Sequence, residues 1–197
     1  MISPRRYARP APRLRRSKSA LLVVDMQGFF LDPQSPAHLP AAVKALPGTR
    51  RLLSAFRRAE RPAAFTVYAT PSRGPMTRWW HTPCPKDGVY AKLFDGLDAP
   101  GGSRVFVKGG YSAFRGTGLS RWLKARDISD LVVAGVMTDL CVESTVREAF
   151  EKGFRVFVAP DACASKDEAL HNAALAVMAR GFAYLSPSGE LSKAVRA

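Results

Sequence analysis

Six short apolar runs recur along the chain. They are rich in β-branched and aromatic residues and lie at residues 20–25, 63–68, 104–107, 131–135, 154–158 and 182–185. None of them shows the strict alternation of apolar and polar positions that marks a strand with one exposed face. Such runs are typical of strands that are buried on both faces of a parallel sheet.

Stretches with apolar residues at helical spacing separate these runs. This spacing predicts helices over residues 40–60, 118–126, 141–152 and 167–180. Because strands alternate with helices, the pattern predicts right-handed βαβ units in one doubly wound domain. The fold class predicted from the pattern is therefore α/β, and the length of 197 residues suits one domain with a sizeable core.

Residues 69–103 interrupt this alternation with a stretch that contains many prolines and several aromatic residues. A loop of this length inside a compact domain is usually functional. Ligands of parallel sheets bind at the carboxyl ends of the strands. Since the loop leaves the carboxyl end of the second predicted strand, we expect it to lie at the mouth of the site.

The first 18 residues form a basic arm ahead of the domain predicted over residues 19–197. The arm has seven Arg or Lys residues, no acidic residue and three prolines, and the whole chain has a net charge of +14. This composition predicts an extended or flexible segment. It suits a nucleic-acid arm, a contact with an anionic surface, a targeting peptide, or a solvated tail that packs on a neighbouring subunit or has no role.

The remaining composition excludes two classes of protein. No apolar run approaches the roughly 20 residues that a membrane-spanning helix needs. Three cysteines are too few, and odd in number, for a disulfide framework. They predict a reducing compartment, and hence a cytoplasmic protein.

Three reactive side chains each follow a different predicted strand: Asp25, Lys108 and Cys141. A cysteine at a helix start is stabilised as the nucleophilic thiolate by free amide N–H groups and the helix dipole. A carboxylate beside it can shuttle protons, and a buried lysine needs a partner such as Asp25. Taken singly, the cysteine also suits core packing, and the aspartate suits a helix cap or a salt bridge.

The turn over residues 135–141 joins the fourth predicted strand to the next helix. Its N–H groups can hold an oxyanion beside the thiol, while Thr138 and Asp139 are also suitable helix caps. Of the other cysteines, Cys163 is interpreted as packing, and Cys84 has no evident base nearby in the sequence.

Three segments carry a resemblance to a known family: LLVVDMQGFF (21–30), VKGGYSAFRGTGL (107–119) and GVMTDLCVESTVREAFEKGFRVFVAPDACAS (135–165). The chain resembles the isochorismatase-like cysteine hydrolase superfamily over about residues 19–187. That superfamily includes nicotinamidases, N-carbamoylsarcosine amidohydrolase and true isochorismatases.

The resemblance implies a six-stranded parallel sheet with helices on both faces, in dimers or tetramers. It implies a catalytic triad of Asp25, Lys108 and Cys141 that needs no cofactor. It also implies a cis peptide bond between Val136 and Met137, which would aim the N–H groups of Met137 and Cys141 into an oxyanion hole.

Two departures from the family patterns narrow the range of expected substrates. Metal-binding nicotinamidases have an Asp-x-His motif and a second histidine after the second strand. Residues 66–84 have no such motif and contain a single histidine, His81. This argues against nicotinamidase and against a structural metal. True isochorismatases lack the cysteine and cleave a vinyl ether with the aspartate as acid, so Cys141 favours acyl transfer. Residues 108–119 nevertheless resemble the isochorismatase segment, which keeps that activity as an alternative.

The prediction is therefore a hydrolase of C–N bonds in a small amide, carbamoyl or ureido compound. Expected pocket walls are Phe30, Trp79, Trp80 and Tyr111, and Arg78 and His81 are expected to contact a substrate carboxylate. A third hypothesis is a non-catalytic scaffold that binds nucleic acid through the arm. The complete triad argues against it, so nucleic acid is not the expected partner.

Overall fold

One sheet of six parallel strands forms the centre of the computed structural model, which describes residues 3–100 and 103–197. The strands are β1 (Ser19–Val24), β2 (Ala63–Tyr68), β3 (Arg104–Lys108), β4 (Asp130–Val136), β5 (Arg155–Ala164) and β6 (Tyr184–Leu185). Their order in the sheet is β3-β2-β1-β4-β5-β6. The predicted six-stranded, doubly wound α/β fold is confirmed.

Seven α-helices connect or follow these strands in the described residues. They are α1 (Gly28–Leu31), α2 (Pro40–Arg58), α3 (Pro75–Trp79), α4 (Leu119–Lys124), α5 (Glu143–Glu151), α6 (Glu168–Gly181) and α7 (Ser188–Ala194). The helix expected from Cys141 onward differs from its prediction, because it opens with a π-helical turn at Thr138–Val142 before α5. Within the two described ranges, no helix is both long and apolar enough to cross a bilayer.

Helices cover both faces of the sheet. In β1, Leu21 and Val23 pack in a core with residues of α1, α2 and α7, whereas Leu22 and Val24 pack in a second core with residues of α4, α5 and α6. Every residue of β1 is buried for this reason. Two-sided burial explains why the strands read as continuous apolar runs.

The direction of winding reverses between β1 and β4, which are neighbours at the centre of the sheet. A crevice forms at such a point in open parallel sheets. Gly135 keeps the two strands close, because a Cβ at this position would overlap the Val24 carbonyl oxygen and its φ is 124°. Only glycine combines that backbone conformation with such a close approach.

The described part of the basic arm, residues 3–18, lies against the domain. Leu14 is buried, and the Arg15 guanidinium Nε lies 2.9 Å from Oδ1 of buried Asp130, which Arg155 also contacts. Burial raises the pKa of Asp130, but the two arginines outweigh it and hold that pKa below its usual value. Residues 1 and 2 of the predicted arm lie outside the described residues, and the boundary at residue 18 stays a prediction.

Candidate active site

Three predicted residues meet at the carboxyl ends of β1, β3 and β4. Lys108 Nζ lies 2.7 Å from Asp25 Oδ2 and 3.2 Å from Cys141 Sγ. The three residues are 2%, 0% and 5% exposed respectively. A carboxylate, an ammonium and a thiol are thus in contact in a nearly dry environment, where electrostatic interactions are stronger than in water.

Lys108 reaches this position by crossing the end of β2. Its register partner there is Tyr68, whose ring centroid lies 5.6 Å from Nζ. The Gly110 carbonyl accepts a hydrogen bond from Nζ at 2.8 Å, so the ammonium group has three polar neighbours. Burial lowers the pKa of Lys108, but the interactions with the Asp25 carboxylate and with Cys141 outweigh it and raise that pKa. Lys108 therefore stays a cation at neutral pH.

Asp25 is held by Thr66 of the neighbouring strand. The Thr66 hydroxyl donates to Asp25 Oδ1 at 2.6 Å, and the Asp25 N–H donates to the Thr66 carbonyl at 3.1 Å. Asp25 has a φ of 51°, in the left-handed region that aspartate tolerates better than most residues. Oδ1 is hydrogen-bonded to Thr66, and Oδ2 faces Lys108. Oδ2 is therefore the carboxylate oxygen that can interact with the Cys141 thiol.

We expect Thr66→Val to lower kcat about tenfold with KM nearly unchanged, because an outer partner orients the reacting group without touching substrate. Valine matches the shape of threonine and removes only the hydroxyl. Thr66→Ser keeps the donor and should retain most of the rate. Steady-state kinetics on a substrate that the wild type turns over, with thermal melting of each variant, checks this. Equal losses in both variants would assign the effect to packing.

Cys141 lies in the π-helical turn that follows β4. Burial raises the pKa of its thiol to about 12, although the Lys108 cation acts in the opposite direction. Burial is the largest of these influences and favours the protonated thiol, which is the opposite direction to the one expected from a helix start. Because this shift favours the thiol over the thiolate, a neighbouring base is needed to take the proton before the sulfur can attack.

The turn before Cys141 contains a cis peptide bond between Val136 and Met137. The side chain of Thr138 does not cap the helix. Its Oγ1 atom instead lies 2.8 Å from Nδ1 of His171, within hydrogen-bond distance. The Asp139 carboxylate accepts a hydrogen bond from Ser165. These two contacts tie the turn that carries Cys141 to α6 and to the residue that follows β5.

A cavity of about 450 Å³ opens beside Cys141. Aromatic residues form much of its wall: Phe29, Phe30, Tyr68, Trp79, Trp80 and Tyr111. The Trp80 indole N–H donates to the Tyr111 hydroxyl at 2.9 Å, which ties the 69–103 loop to the segment after β3. Such a lining suits a flat apolar ligand that presents one reactive group to the thiol.

Residues 19–190 match the isochorismatase domain. The chain belongs to the isochorismatase family. It is therefore a hydrolase, and the sequence and the fold agree on this assignment.

Two sequence relatives and one solved structure of the isochorismatase family illustrate the similarity. Nicotinamidase 3 of Arabidopsis thaliana is 35% identical, over 90% of this chain and 88% of its own. Ureidoacrylate amidohydrolase RutB of Methylobacterium radiotolerans is 31% identical, over 91% and 80%. The crystal structure of N-carbamoylsarcosine amidase from Thermoplasma acidophilum superposes with a TM-score of 0.79, at 28% identity, over 87% of this chain and 96% of that one.

The structure does not bring every predicted site residue to the cavity of this isochorismatase-family hydrolase. Phe30, Trp79, Trp80 and Tyr111 line it as expected from the sequence. Arg78 and His81 are exposed and lie outside its lining. Among the described residues there is also no cluster of three or more His, Cys, Asp or Glu side chains suited to a metal.

Sequence reasoning missed several residues that shape the site. Gln27 donates to the Tyr68 carbonyl at 3.0 Å and accepts from the Tyr68 N–H at 2.6 Å, which joins the exit of β1 to the end of β2. Its polarity after an apolar strand was the available signal. Thr66 lies in an apolar run where threonine is common, so the sequence does not single it out. His38 and Lys166 line the cavity, but no motif or periodicity in the sequence marks them.

Proposed function

We propose that the protein is a cysteine hydrolase that cleaves the C–N bond of a small amide, carbamoyl or ureido compound through a thioester. The observation that carries this proposal is the contact of Cys141 with the Lys108–Asp25 ion pair at the wall of an aromatic cavity. The three relatives described above support it, since all are named for amide hydrolysis.

Acylation begins with proton transfer from the Cys141 thiol to Asp25 Oδ2. The sulfur then attacks the carbonyl carbon of the substrate, and the C=O electrons move to oxygen. The N–H groups of Met137 and Cys141 stabilise this oxyanion. When the intermediate collapses, the C–N bond breaks and the leaving nitrogen takes the proton from Asp25. Ammonia or an amine leaves, and a thioester remains on Cys141.

Deacylation reverses the roles of the same groups. Asp25 takes a proton from a water molecule as its oxygen attacks the thioester carbon. The second tetrahedral intermediate expels the Cys141 sulfur, which recovers the proton from Asp25. Lys108 remains charged throughout and stabilises whichever of the two partners is negative. The chemistry requires no cofactor.

The cavity indicates which residues would hold the substrate. Phe30, Trp79, Trp80 and Tyr111 would form the walls that hold the acyl part of the substrate. The missing Asp-x-His motif argues against nicotinamide, but this compound stays among the candidates because Nicotinamidase 3 of Arabidopsis thaliana is 35% identical. The protein would act as a homodimer or homotetramer in the cytoplasm, where its three cysteines, all free in the structure, stay reduced.

Ammonia release from a panel of compounds tests the proposal. The panel contains nicotinamide, N-carbamoyl amino acids, maleamate, ureidoacrylate and biuret, and pyruvate release from isochorismate is followed separately. Intact mass spectrometry during turnover should reveal an acyl adduct on the peptide that contains Cys141. Pyruvate release without any ammonia or adduct would replace the proposal with vinyl ether hydrolysis by Asp25.

The scaffold hypothesis has its own test. Salt-dependent retention on DNA or RNA that disappears when residues 1–18 are removed would support it. We expect no such retention, since Arg15 of the arm is already paired with Asp130 of the domain.

A further inference from the structure

We infer that His38 selects substrates whose acyl part carries a hydrogen-bonding atom within an otherwise apolar, aromatic frame. This inference rests on the proposed amide hydrolysis, because it names the kind of amide that the cavity accepts. It assigns His38 a role in substrate specificity and none in the chemical steps.

The His38 side chain lines the cavity, and its Nε2 atom is buried. Within the described residues this nitrogen has no hydrogen-bond partner. A buried polar atom without a partner costs free energy, and native structures keep few of them. A substrate atom that hydrogen-bonds Nε2 would recover that cost, so the cavity favours ligands that have such an atom.

The backbone around His38 is fixed on the cavity wall. The His38 N–H donates to the Ser35 carbonyl at 3.1 Å, and the Ser35 hydroxyl donates to the Phe29 carbonyl at 2.7 Å. The next residue, Leu39, donates from its N–H to the Phe30 carbonyl at 2.8 Å. Since Phe29 and Phe30 also line the cavity, the backbone that carries the imidazole is tied to the aromatic wall.

Two other polar groups of the lining, on Tyr111 and Asp139, already have partners. The Tyr111 hydroxyl accepts a hydrogen bond from Trp80, and Asp139 accepts one from Ser165. His38 Nε2 differs from them, and resembles the buried Tyr68 hydroxyl of the same lining, in having no hydrogen-bond partner among the described residues. An imidazole nitrogen donates or accepts according to its tautomer, so the matching ligand atom is a ring nitrogen or a hydroxyl.

Binding to the Cys141→Ala protein tests this without turnover. The probes are benzamide, its three pyridine analogues (picolinamide, nicotinamide and isonicotinamide), and 3- and 4-hydroxybenzamide. We expect at least one polar analogue to bind about tenfold more tightly than benzamide by titration calorimetry or ligand-observed NMR. Adding His38→Leu should remove this preference, whereas His38→Gln, which can place a polar nitrogen near the same point, should keep part of it.

Gln34→Leu is the matched control, because Gln34 belongs to the same loop but is exposed and outside the cavity lining. It should leave the preference intact. Equal binding of benzamide and all its analogues, a preference that survives His38→Leu, or no binding by any probe would each overturn the inference. Thermal melting establishes that every variant is folded.

Ammonia release by the wild type from the same probes separates this inference from the proposed function. Hydrolysis that depends on Cys141 but shows no effect of His38→Leu would refute only the role of His38. Binding that depends on His38, without any hydrolysis of the probes or of the wider amide panel, would refute only the proposed reaction.

Discussion

Replacement of Cys141 by alanine should lower kcat for amide hydrolysis by at least about 10⁴-fold, an effect typical of losing the nucleophile of an enzyme that forms a covalent intermediate. The fold should survive, because Lys108 keeps its contacts with Asp25 and Gly110 at 2.7 and 2.8 Å. Ammonia release at saturating substrate measures the loss. The acyl adduct should also disappear from the mass spectrum of the variant.

Cys163→Ala is the matched control for this prediction. Cys163 is as buried as Cys141, and burial likewise raises the pKa of its thiol to about 12. Its backbone pairs with Gly135 of β4, and among the described residues no hydrogen bond or ion pair joins its side chain to the triad. We expect it to retain activity with a modest loss of stability. Activity of Cys141→Ala within tenfold of the wild type would exclude the acyl-enzyme mechanism.

The predictable part of the site lies where strands end. Asp25, Lys108 and Cys141 each follow an apolar run, and parallel strands bring their carboxyl ends to one edge of the sheet. The apolar runs, together with the reactive residue that follows each of them, are therefore enough to suggest that the three side chains meet. They cannot give the distances, which depend on Lys108 passing over Tyr68 of the strand between them.

The unpredictable part depends on contacts between residues far apart in the sequence. Thr66 lies inside a strand, where threonine is common, and only the fold brings it to Asp25. Burial is also the largest influence on the pKa of Cys141, which it raises, and that burial depends on the whole fold and not on the local sequence. His38 follows a short helix in an irregular segment without periodicity, so no pattern marks it as part of the cavity wall.

Replacement of Lys108 by methionine should have the second largest effect, on stability as well as on activity. Methionine fills a similar volume, but it leaves the Asp25 carboxylate buried without its cation. Removal of one partner of a buried ion pair typically costs about 3–5 kcal/mol, because the remaining charge stays desolvated. We expect the free energy of unfolding to fall by about this amount in denaturant titrations, with hydrolysis reduced below detection.

The double variant Lys108→Met, Asp25→Asn separates the two effects. Asparagine has nearly the shape of aspartate and can keep the contact with Thr66, but it brings no charge into the core. Most of the lost stability should therefore return, while activity stays absent because neither the base nor the cation is present. If Lys108→Met alone were as stable as the wild type, Asp25 would not be a buried carboxylate that depends on Lys108. In that case the proton transfer from Cys141 to Asp25 would lose its electrostatic basis.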